Sequence, residues 1–286
     1  LGDVYKRQPY SIDKEMVKEI EDKSRKLALG LNVQGLLNIQ FAIKDNELFI
    51  LEANPRASST MPFVAKVTGN QIIKAGTLLM LGYSIEDVKN QTNYLNGTTN
   101  KVAIKKAIFP WSRFPAEDTM LGPEMKATGE VLGIGREFGT ALNKAYSAAG
   151  VEINNKEKGI FVTLSDDKKS NFLDTIKKYI ELEFTVYSTQ GTGEFLKSKG
   201  IDSIIVGKAN DTGQTSLSII DEKLVSLVIN TPTYANELTD GWKIRRLSHE
   251  TGVAVVSSVR EADAFIEAFL KRNSVLEDMD AIQNVS

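Results

Sequence analysis

The spacing of apolar residues changes rhythm midway along the chain. From Ser11, Met16, Ile20 and Leu27 recur amid Lys and Glu. That spacing predicts a helix with Ser11 as N-cap and Gly30 as its stop. Two runs follow, Leu36–Ile43 and Leu48–Ala53, parted by Lys44-Asp45-Asn46-Glu47. They predict a β-hairpin. Helices are then predicted over Pro62–Val67, stopped by Gly69, over Gln71–Leu81, stopped by Gly82, and after Ser84. Asn90–Asn100 and Pro110–Pro123 read as loops, Lys101–Phe109 and Gly129–Gly135 as strands, and Glu137–Ala148 as a helix.

In the second half, strands and helices alternate. Ile160–Leu164, Phe184–Tyr187, Ser203–Val206, Leu224–Ile229 and Val253–Val256 read as strands. Asp167–Leu182, Trp242–His249 and Arg260–Lys271 read as helices, and the stretch Ser188–Gly193 turns into another that runs through Lys199. Such alternation implies a parallel sheet covered on both faces. The fold class is therefore α/β. The domain boundary is expected near Gly150–Lys158, where Asn, Lys, Glu and Gly cluster, giving domains over 9–150 and 151–286. Residues 1–8 are set apart. Asp3–Gln8 is the in-frame translation of a transposon-end adapter used in DNA library preparation, so this stretch is read as a sequencing scar, with the natural protein continuing upstream.

Composition narrows the chemistry. Among 286 residues there is no Cys and one His, His249. Disulfides, thiolate metal sites and a Cys nucleophile are excluded, as are zinc sites built from several histidines. The 35 basic and 37 acidic side chains leave a net charge of −2, so no overall basic field attracts nucleic acid or an anionic membrane. No apolar run approaches the roughly 20 residues that span a bilayer. The expected location is the cytoplasm. Catalysis or binding must use carboxylates, amides, Lys, Arg, hydroxyls and backbone N–H groups.

The hairpin gathers such groups. Asn38 and Gln40 share one face of its first strand, and Glu52 and Asn54 share one face of its second. A three-residue turn, Asp45-Asn46-Glu47, places Gln40 opposite Glu52 and Asn38 opposite Asn54. A two-residue turn places Gln40 opposite Leu51 instead. Alternation alone also fits a plain solvent-facing side. However, Asn54-Pro55-Arg56-Ala57-Ser58 adds a guanidinium directly after the strand. Carboxylate and amide oxygens suit Mg²⁺, and a guanidinium suits phosphate.

The stretch Asn38-Ile39-Gln40-Phe41, continued by Leu51-Glu52-Ala53-Asn54-Pro55-Arg56-Ala57-Ser58, resembles the second ATP-grasp unit of carbamoyl-phosphate synthase large subunits. Leu121-Gly122-Pro123-Glu124-Met125-Lys126-Ala127-Thr128-Gly129-Glu130-Val131 is similar to the segment that follows that unit in the same family. The resemblance implies a partial ATP-grasp fold with an antiparallel sheet. It implies Gln40, Glu52 and Asn54 as ligands of Mg²⁺ or Mn²⁺ at ATP, leaves room for K⁺, and gives Arg56 a catalytic contact to phosphate or to the carboxyphosphate-derived substrate. The activity implied is ATP-dependent phosphorylation of carbamate to carbamoyl phosphate, for arginine and pyrimidine synthesis. The adenine-binding strand and Gly-rich flap of an ATP-grasp site are expected upstream, so this chain is expected to bind ATP weakly and not to turn over alone. Ser59 stands where the family usually has Arg.

In the second half, Ser188-Thr189-Gln190-Gly191-Thr192-Gly193 follows a strand and opens a helix, a setting that favours anions but also suits a plain connection. Thr163, Thr189 with Thr192, Lys208, and Asn230 with Thr231 all fall at strand ends, where ligands bind in open parallel sheets. These positions resemble the methylglyoxal-synthase-like regulatory domain of the same large subunits. The resemblance implies an effector site at Thr163, Lys169, Thr189, Thr192, Lys208, Asn230 and Thr231, for UMP, IMP or ornithine. It also implies a glutamine amidotransferase small subunit as partner and allows a homo-oligomer. Arg245 and Arg246 read equally well as phosphate contacts or as a solvated helix face. Trp111 and Trp242 are expected to pack, and His249 to lie on a helix surface. A true methylglyoxal synthase is disfavoured, because the Gly-Thr loop carries no Asp. The reading from another class is a non-catalytic phosphate- or nucleotide-binding regulatory module.

Overall fold

The structure is a computed structural model that describes residues 5–7, 12–93, 101–109, 111, 127, 129–151, 153, 158–231 and 239–272. Contacts divide the chain into two compact units, one of residues 7–101 and one chiefly of residues 102–284.

In the first unit, α1 (Lys14–Gly30) leads to the strands β2 (Asn38–Lys44) and β3 (Glu47–Asn54), then to α2 (Thr60–Thr68), α3 (Ile72–Met80) and α4 (Ile85–Gln91). The cap of α1 is Asp13, whose Oδ1 accepts from the Met16 N–H at 2.7 Å. Ser11, the expected cap, lies outside the described residues. Ser84 and Asp87 close a reciprocal capping box on α4, with bonds of 3.1 and 3.2 Å. Much apolar surface stays open in this unit: Leu29, Leu51 and Leu81 are 75%, 64% and 70% exposed.

The second unit contains two sheets. Strands β4 (Val102–Ile108) and β5 (Gly129–Gly135) pair antiparallel, and β1 (Tyr5–Arg7) joins them at the edge in the order β1-β4-β5. The adapter-like segment, excluded from the fold on its sequence, therefore supplies a strand. Edge pairing uses only backbone groups, so it is open to a segment whose side chains carry no pattern. Helix α5 (Phe138–Ala148) lies directly on β5, and a Cβ on Gly133 would overlap the Ala141 carbonyl.

Five parallel strands form the main sheet in the order β10-β9-β6-β7-β8: β6 (Gly159–Thr163), β7 (Thr185–Ser188), β8 (Ile204–Ile205), β9 (Leu227–Asn230) and β10 (Ala254–Val256). Successive residues point to opposite faces. Ile160, Val162, Leu227 and Ile229 join one core with Ile176, Tyr179 and Phe265, while Phe161 and Val228 join another with Ile219, Ile220 and Ile244. The sheet is thus buried on both sides, as the unbroken apolar runs of its strands require. Helices α6 (Leu173–Glu181), α7 (Gln190–Ser198), α8 (Ser218–Asp221), α9 (Asp240–Thr251) and α10 (Val259–Leu270) connect and cover it.

Three differences from the sequence reading stand out. The helix expected over Asp167–Leu182 opens as a 3-10 turn, Lys169–Phe172, before α6 begins. Helix α8 was not expected, because four residues are too few to show a helical period. The segment 102–148, grouped by sequence with the first half, shares a core with the second: Ile104, Leu142 and Ala145 pack in the cluster that holds Phe265. The Pro110–Pro123 loop and most of the Leu121–Val131 block lie outside the described residues, apart from Trp111. Among the described residues no helix is long and apolar enough to cross a membrane.

Candidate functional site

Each unit carries one candidate site. In the first, β2 and β3 pair Asn38 with Asn54 and Gln40 with Glu52. The turn is not the three-residue one. Lys44 pairs with Glu47, leaving Asp45 and Asn46 as a two-residue turn with φ of 52° and 62°. Both residues being left-handed marks the turn type that matches the twist of hairpins. A β-bulge between Gln40 and Phe41 then admits one extra residue, Leu51, and brings Glu52 opposite Gln40.

The polar groups of this hairpin touch each other. Asn54 Nδ2 donates to Glu52 Oε1 at 2.9 Å. Asn38 Nδ2 donates to Ser58 Oγ at 3.3 Å, tying the start of β2 to the segment after β3. The backbone N–H of Arg56 donates to the Asn54 carbonyl at 2.8 Å, which turns the chain so that Arg56 follows the carboxylate; its Nη1 donates to Ala57 O at 3.2 Å. Gln40, Glu52 and Arg56 are all exposed. The donor set is one carboxylate with the amide oxygens of Gln40 and Asn54, and Asn54 spends its N–H on Glu52, which leaves its oxygen open. This set fits Mg²⁺ or Mn²⁺ held jointly with phosphate oxygens. Among the described residues no cluster of three or more His, Cys, Asp or Glu could hold a metal alone.

The second site lies at the carboxyl edge of the parallel sheet. The strand order sets the ends of β9, β6, β7 and β8 side by side, which brings Thr163, Thr189, Lys208, Asn230 and Thr231 to one edge. Two of the candidate hydroxyls stitch this edge together. Thr192 Oγ1 accepts from the Leu164 N–H at 3.1 Å and from Thr189 Oγ1 at 3.2 Å. Thr231 Oγ1 accepts from the Ser165 N–H at 2.8 Å, while the Thr231 N–H donates to Thr163 O at 3.1 Å. The loop leaving β6 is thereby fixed from both sides.

Cations flank that loop. Lys169 donates to Gly191 O at 2.8 Å and pairs with Asp166 at 2.6 Å, which holds its ammonium at the first turn of α7. The two glycines of that turn differ. A Cβ on Gly193 would stand 2.6 Å from Ser188 Oγ, so this glycine serves close packing, whereas a Cβ on Gly191 would meet only Lys169 Nζ, at 3.8 Å. Lys208 is exposed at the end of the β8 segment, where its backbone N–H donates to Asp211 Oδ2 at 2.8 Å.

Arg245 and Arg246 are not on a solvated face; each is 7% exposed. Arg245 Nη1 donates to Asn230 Oδ1 at 3.0 Å, and Arg246 Nε to Glu250 Oε1 at 2.6 Å. Ser165 and Asp166 are the residues of this edge that sequence reasoning did not single out, and for Arg245 and Arg246 the solvated-face alternative is the one that fails. The Lys-Ile-Arg-Arg run carries no sign of burial in its own spacing; only its partner Asn230 reveals it. Trp111 packs as expected, stacked on Phe109 with centroids 5.2 Å apart, and His249 is exposed on α9.

Two cavities lie elsewhere. A groove of about 710 Å³ opens at the amino end of β7, between Thr185, Lys199 and Ile204, and contains none of the candidate residues. A smaller one of about 160 Å³ is lined by Lys106, Phe109, Trp111 and His249. Burial pushes the Lys106 ammonium down to about 8, against the pull of Glu261. His249, with one side of its ring against Trp111 in this cavity, is held down to about 4, first by desolvation and then by Lys106, Arg246 and Arg245.

Comparison with known proteins matches both units. Residues 4–88 fit the family "Carbamoyl-phosphate synthase L chain, ATP binding domain", and residues 171–257 fit the family "MGS-like domain". The chain is 37% identical over 284 residues to a protein of Aquifex aeolicus named carbamoyl phosphate synthase large chain, C-terminal section, covering 94% of this chain and 52% of that one. It is 40% identical over 262 residues to the carbamoyl phosphate synthase large chain of Archaeoglobus fulgidus, covering 91% and 24%. It is 36% identical over 268 residues to the C-terminal section from Methanocaldococcus jannaschii, covering 91% and 43%. The chain spans about half or less of the length of these relatives.

Proposed function

The chain belongs to the family of carbamoyl phosphate synthase large chains, and from that premise we propose that its hairpin is one wall of the MgATP site that phosphorylates carbamate. The single observation that carries this reading is the face on which Gln40 stands opposite Glu52 while Asn54 bonds to Glu52, with Arg56 directly after the strand. The relatives' name gives the product, carbamoyl phosphate, and the reading takes carbamate as the acceptor. Carbamate oxygen attacks the γ-phosphorus of ATP, the bond to the β–γ bridging oxygen breaks, and ADP leaves with that electron pair, giving carbamoyl phosphate. A bound Mg²⁺ or Mn²⁺ supplies charge neutralisation at the phosphates.

The chain's own residues position and neutralise. Glu52, oriented by Asn54, and Gln40 present oxygens from two adjacent strands, so their spacing is fixed by the ladder. Arg56 offers a planar fork of donors to the transferred phosphoryl oxygens. In the proposed complete enzyme, ammonia comes from glutamine through a small amidotransferase subunit, and the product enters arginine and pyrimidine synthesis in the cytoplasm. We assign residues 9–150 to the ATP-grasp ancestry and 151–286 to the regulatory one. The strand-end edge then binds an effector, with UMP, IMP and ornithine as candidates, through Thr163, Lys169, Thr189, Thr192, Lys208, Asn230 and Thr231.

The test is Mn²⁺ binding to this chain, read by electron paramagnetic resonance with and without ATP, alongside carbamate-dependent ADP formation. ATP is expected to raise Mn²⁺ binding, and Glu52→Gln to abolish the rise. Turnover by the chain alone is expected to be absent. Unchanged Mn²⁺ binding in Glu52→Gln would sink the assignment of the hairpin.

A further inference from the structure

Two consecutive lysines of β4 meet opposite surroundings, because alternation sends them to opposite faces of the sheet. Lys105 Nζ pairs with Glu130 Oε1 at 2.7 Å. Lys106 shares its face with Ile104, which packs in the core with Leu142, Ala145 and Tyr146 of α5. There its ammonium lies 4.7 Å from the Tyr146 ring centroid and, among the described residues, has neither a hydrogen-bond acceptor nor an ion-pair partner. Glu261 pulls on it from a distance, but spends its Oε2 on the Ser257 N–H and the Ser258 hydroxyl, each at 3.1 Å. Half-buried, Lys106 also lines the cavity of about 160 Å³ that holds Phe109, Trp111 and His249. From α9, Arg245 and Arg246 act on the same His249 ring, and the Glu250 carboxylate that lines the cavity is held by Arg246 Nε at 2.6 Å. An amine without an anion, against an aromatic wall, is held partly neutral near pH 8, and a neutral amine is a nucleophile.

We propose that Lys106 is a carbamoylation site whose reagent is isocyanic acid, HNCO. Carbamoyl phosphate yields this molecule when it eliminates inorganic phosphate, so the source of the reagent rests on the reading of the chain as a carbamoyl phosphate synthase. The lone pair of the neutral amine attacks the carbon of HN=C=O. The N=C electron pair moves to the reagent's nitrogen, which takes up the proton that the amine gives up. Nothing leaves, nothing is oxidised, and the product is a substituted urea. Isocyanic acid has three heavy atoms and no charge, which suits a small cavity walled by Phe109, Trp111, Val151 and Val253. The urea is neutral, so its formation removes the burial cost of the cation.

The experiment treats this chain with potassium cyanate, and separately with carbamoyl phosphate, at pH 7.5 and 10.5. Early occupancy of each lysine is read by peptide mass spectrometry. At pH 7.5 Lys106 is expected to react at least about tenfold faster than the exposed Lys197. At pH 10.5, where an ordinary lysine is about half neutral, the excess is expected to fall below about threefold. At the occupancy where Lys106 alone has reacted, wild type is expected to melt about 2–5 °C higher than before treatment, and treated Lys106→Arg to show no rise. If that variant does not fold, the rates in wild type decide alone. Equal rates at Lys106 and Lys197, or a tenfold excess that persists at pH 10.5, overturn the inference. Reaction with carbamoyl phosphate but not with cyanate overturns isocyanic acid as the reagent. If the hairpin fails its Mn²⁺ test, the cyanate result still stands, and only the chain's own product falls as the source.

Discussion

Gln40 stands directly across the ladder from Glu52, although the turn joining their strands is one residue shorter than an unbroken ladder would need for that pairing. The extra residue is Leu51, taken up by the bulge, and it is 64% exposed. The turn supplies a tight, left-handed closure and the bulge corrects the register behind it. Asn46, at φ 62°, carries the second left-handed position. Replacing Asn46 with Ala is expected to destabilise the hairpin unit by about 1 kcal/mol, because a Cβ without a helpful side-chain oxygen is strained there. Asn46→Gly is expected to cost nothing or to stabilise. Urea denaturation of the two variants checks the order; Ala at or above Gly refutes it.

The same hairpin shows how far the sequence could be read. Alternation placed Asn38, Gln40, Glu52 and Asn54 on shared faces, and the observed pairs follow. The turn length could not be read, because a short turn plus a bulge and a longer turn alone give the same pairing at Gln40. The five-stranded sheet was legible from apolar runs such as Ile160–Val162 and Leu227–Ile229. Two things were not. Ile104 and Leu142 sharing a core with Phe265 is long-range packing, which has no local signature. Arg245 facing Asn230 is likewise visible only once β9 and α9 are side by side.

Asn54 holds Glu52 by a bond of 2.9 Å at an exposed position, so its contribution to folding is small and its contribution to carboxylate orientation is direct. Asn54→Ala is expected to leave the melting temperature within about 2 °C while weakening ATP-dependent Mn²⁺ binding several-fold. Retention of wild-type Mn²⁺ binding would mean that Asn54 neither orients Glu52 nor ligates the metal.

Ser59 precedes α2 without a side-chain cap bond and is exposed, so a larger residue fits there at little cost. In the proposed ATP site this position lies three residues beyond Arg56, on the same segment after β3. Ser59→Arg is expected to tighten binding of MgATP about two- to tenfold by adding a guanidinium beside the phosphates. Calorimetry with MgATP and with adenosine in the same Mg²⁺ buffer separates the effect, since only the phosphorylated ligand should respond. An equal gain for both, or none for either, rules out a phosphate contact at residue 59.

Gly133 is where α5 comes down on β5, with no room for a side chain between the strand and the Ala141 carbonyl. Gly133→Val must push the helix off the sheet and disturb the core that Leu142 and Ala145 share with Phe265. A loss of roughly 2–4 kcal/mol is expected, against little change for Gly129→Ala on the same strand, where nothing lies within 4 Å and φ is not left-handed. Chemical denaturation of Gly133→Val gives the answer, and wild-type stability would show that α5 does not rest on this strand.

Lys106 gives a pH dependence whose sign can be worked out. Its ammonium lies 4.7 Å from the Tyr146 ring centroid, and burial lowers its pKa from 10.5 to about 8. Between those two values the unfolded chain binds more protons than the folded one, so stability rises with pH from about 8 to about 10.5. Below about 8 the charged form is present in both states and its burial cost is paid in full. A shift of this size corresponds to at most about 3 kcal/mol. Lys106→Met is therefore expected to be more stable than wild type at pH 7, by about 1–3 kcal/mol, with the advantage shrinking as pH approaches 10.5. His249 acts in a separate window. Its pKa is lowered from 6.5 to about 4, so the unfolded chain again binds more protons and stability falls as pH drops from 6.5 towards 4. Solvent screens that effect, because His249 is exposed, and His249→Gln is expected to flatten it. Urea denaturation at pH 5, 7 and 10 separates the two groups. A Lys106→Met advantage that is constant across pH 7 to 10 would show that the ammonium carries no burial cost in the folded chain.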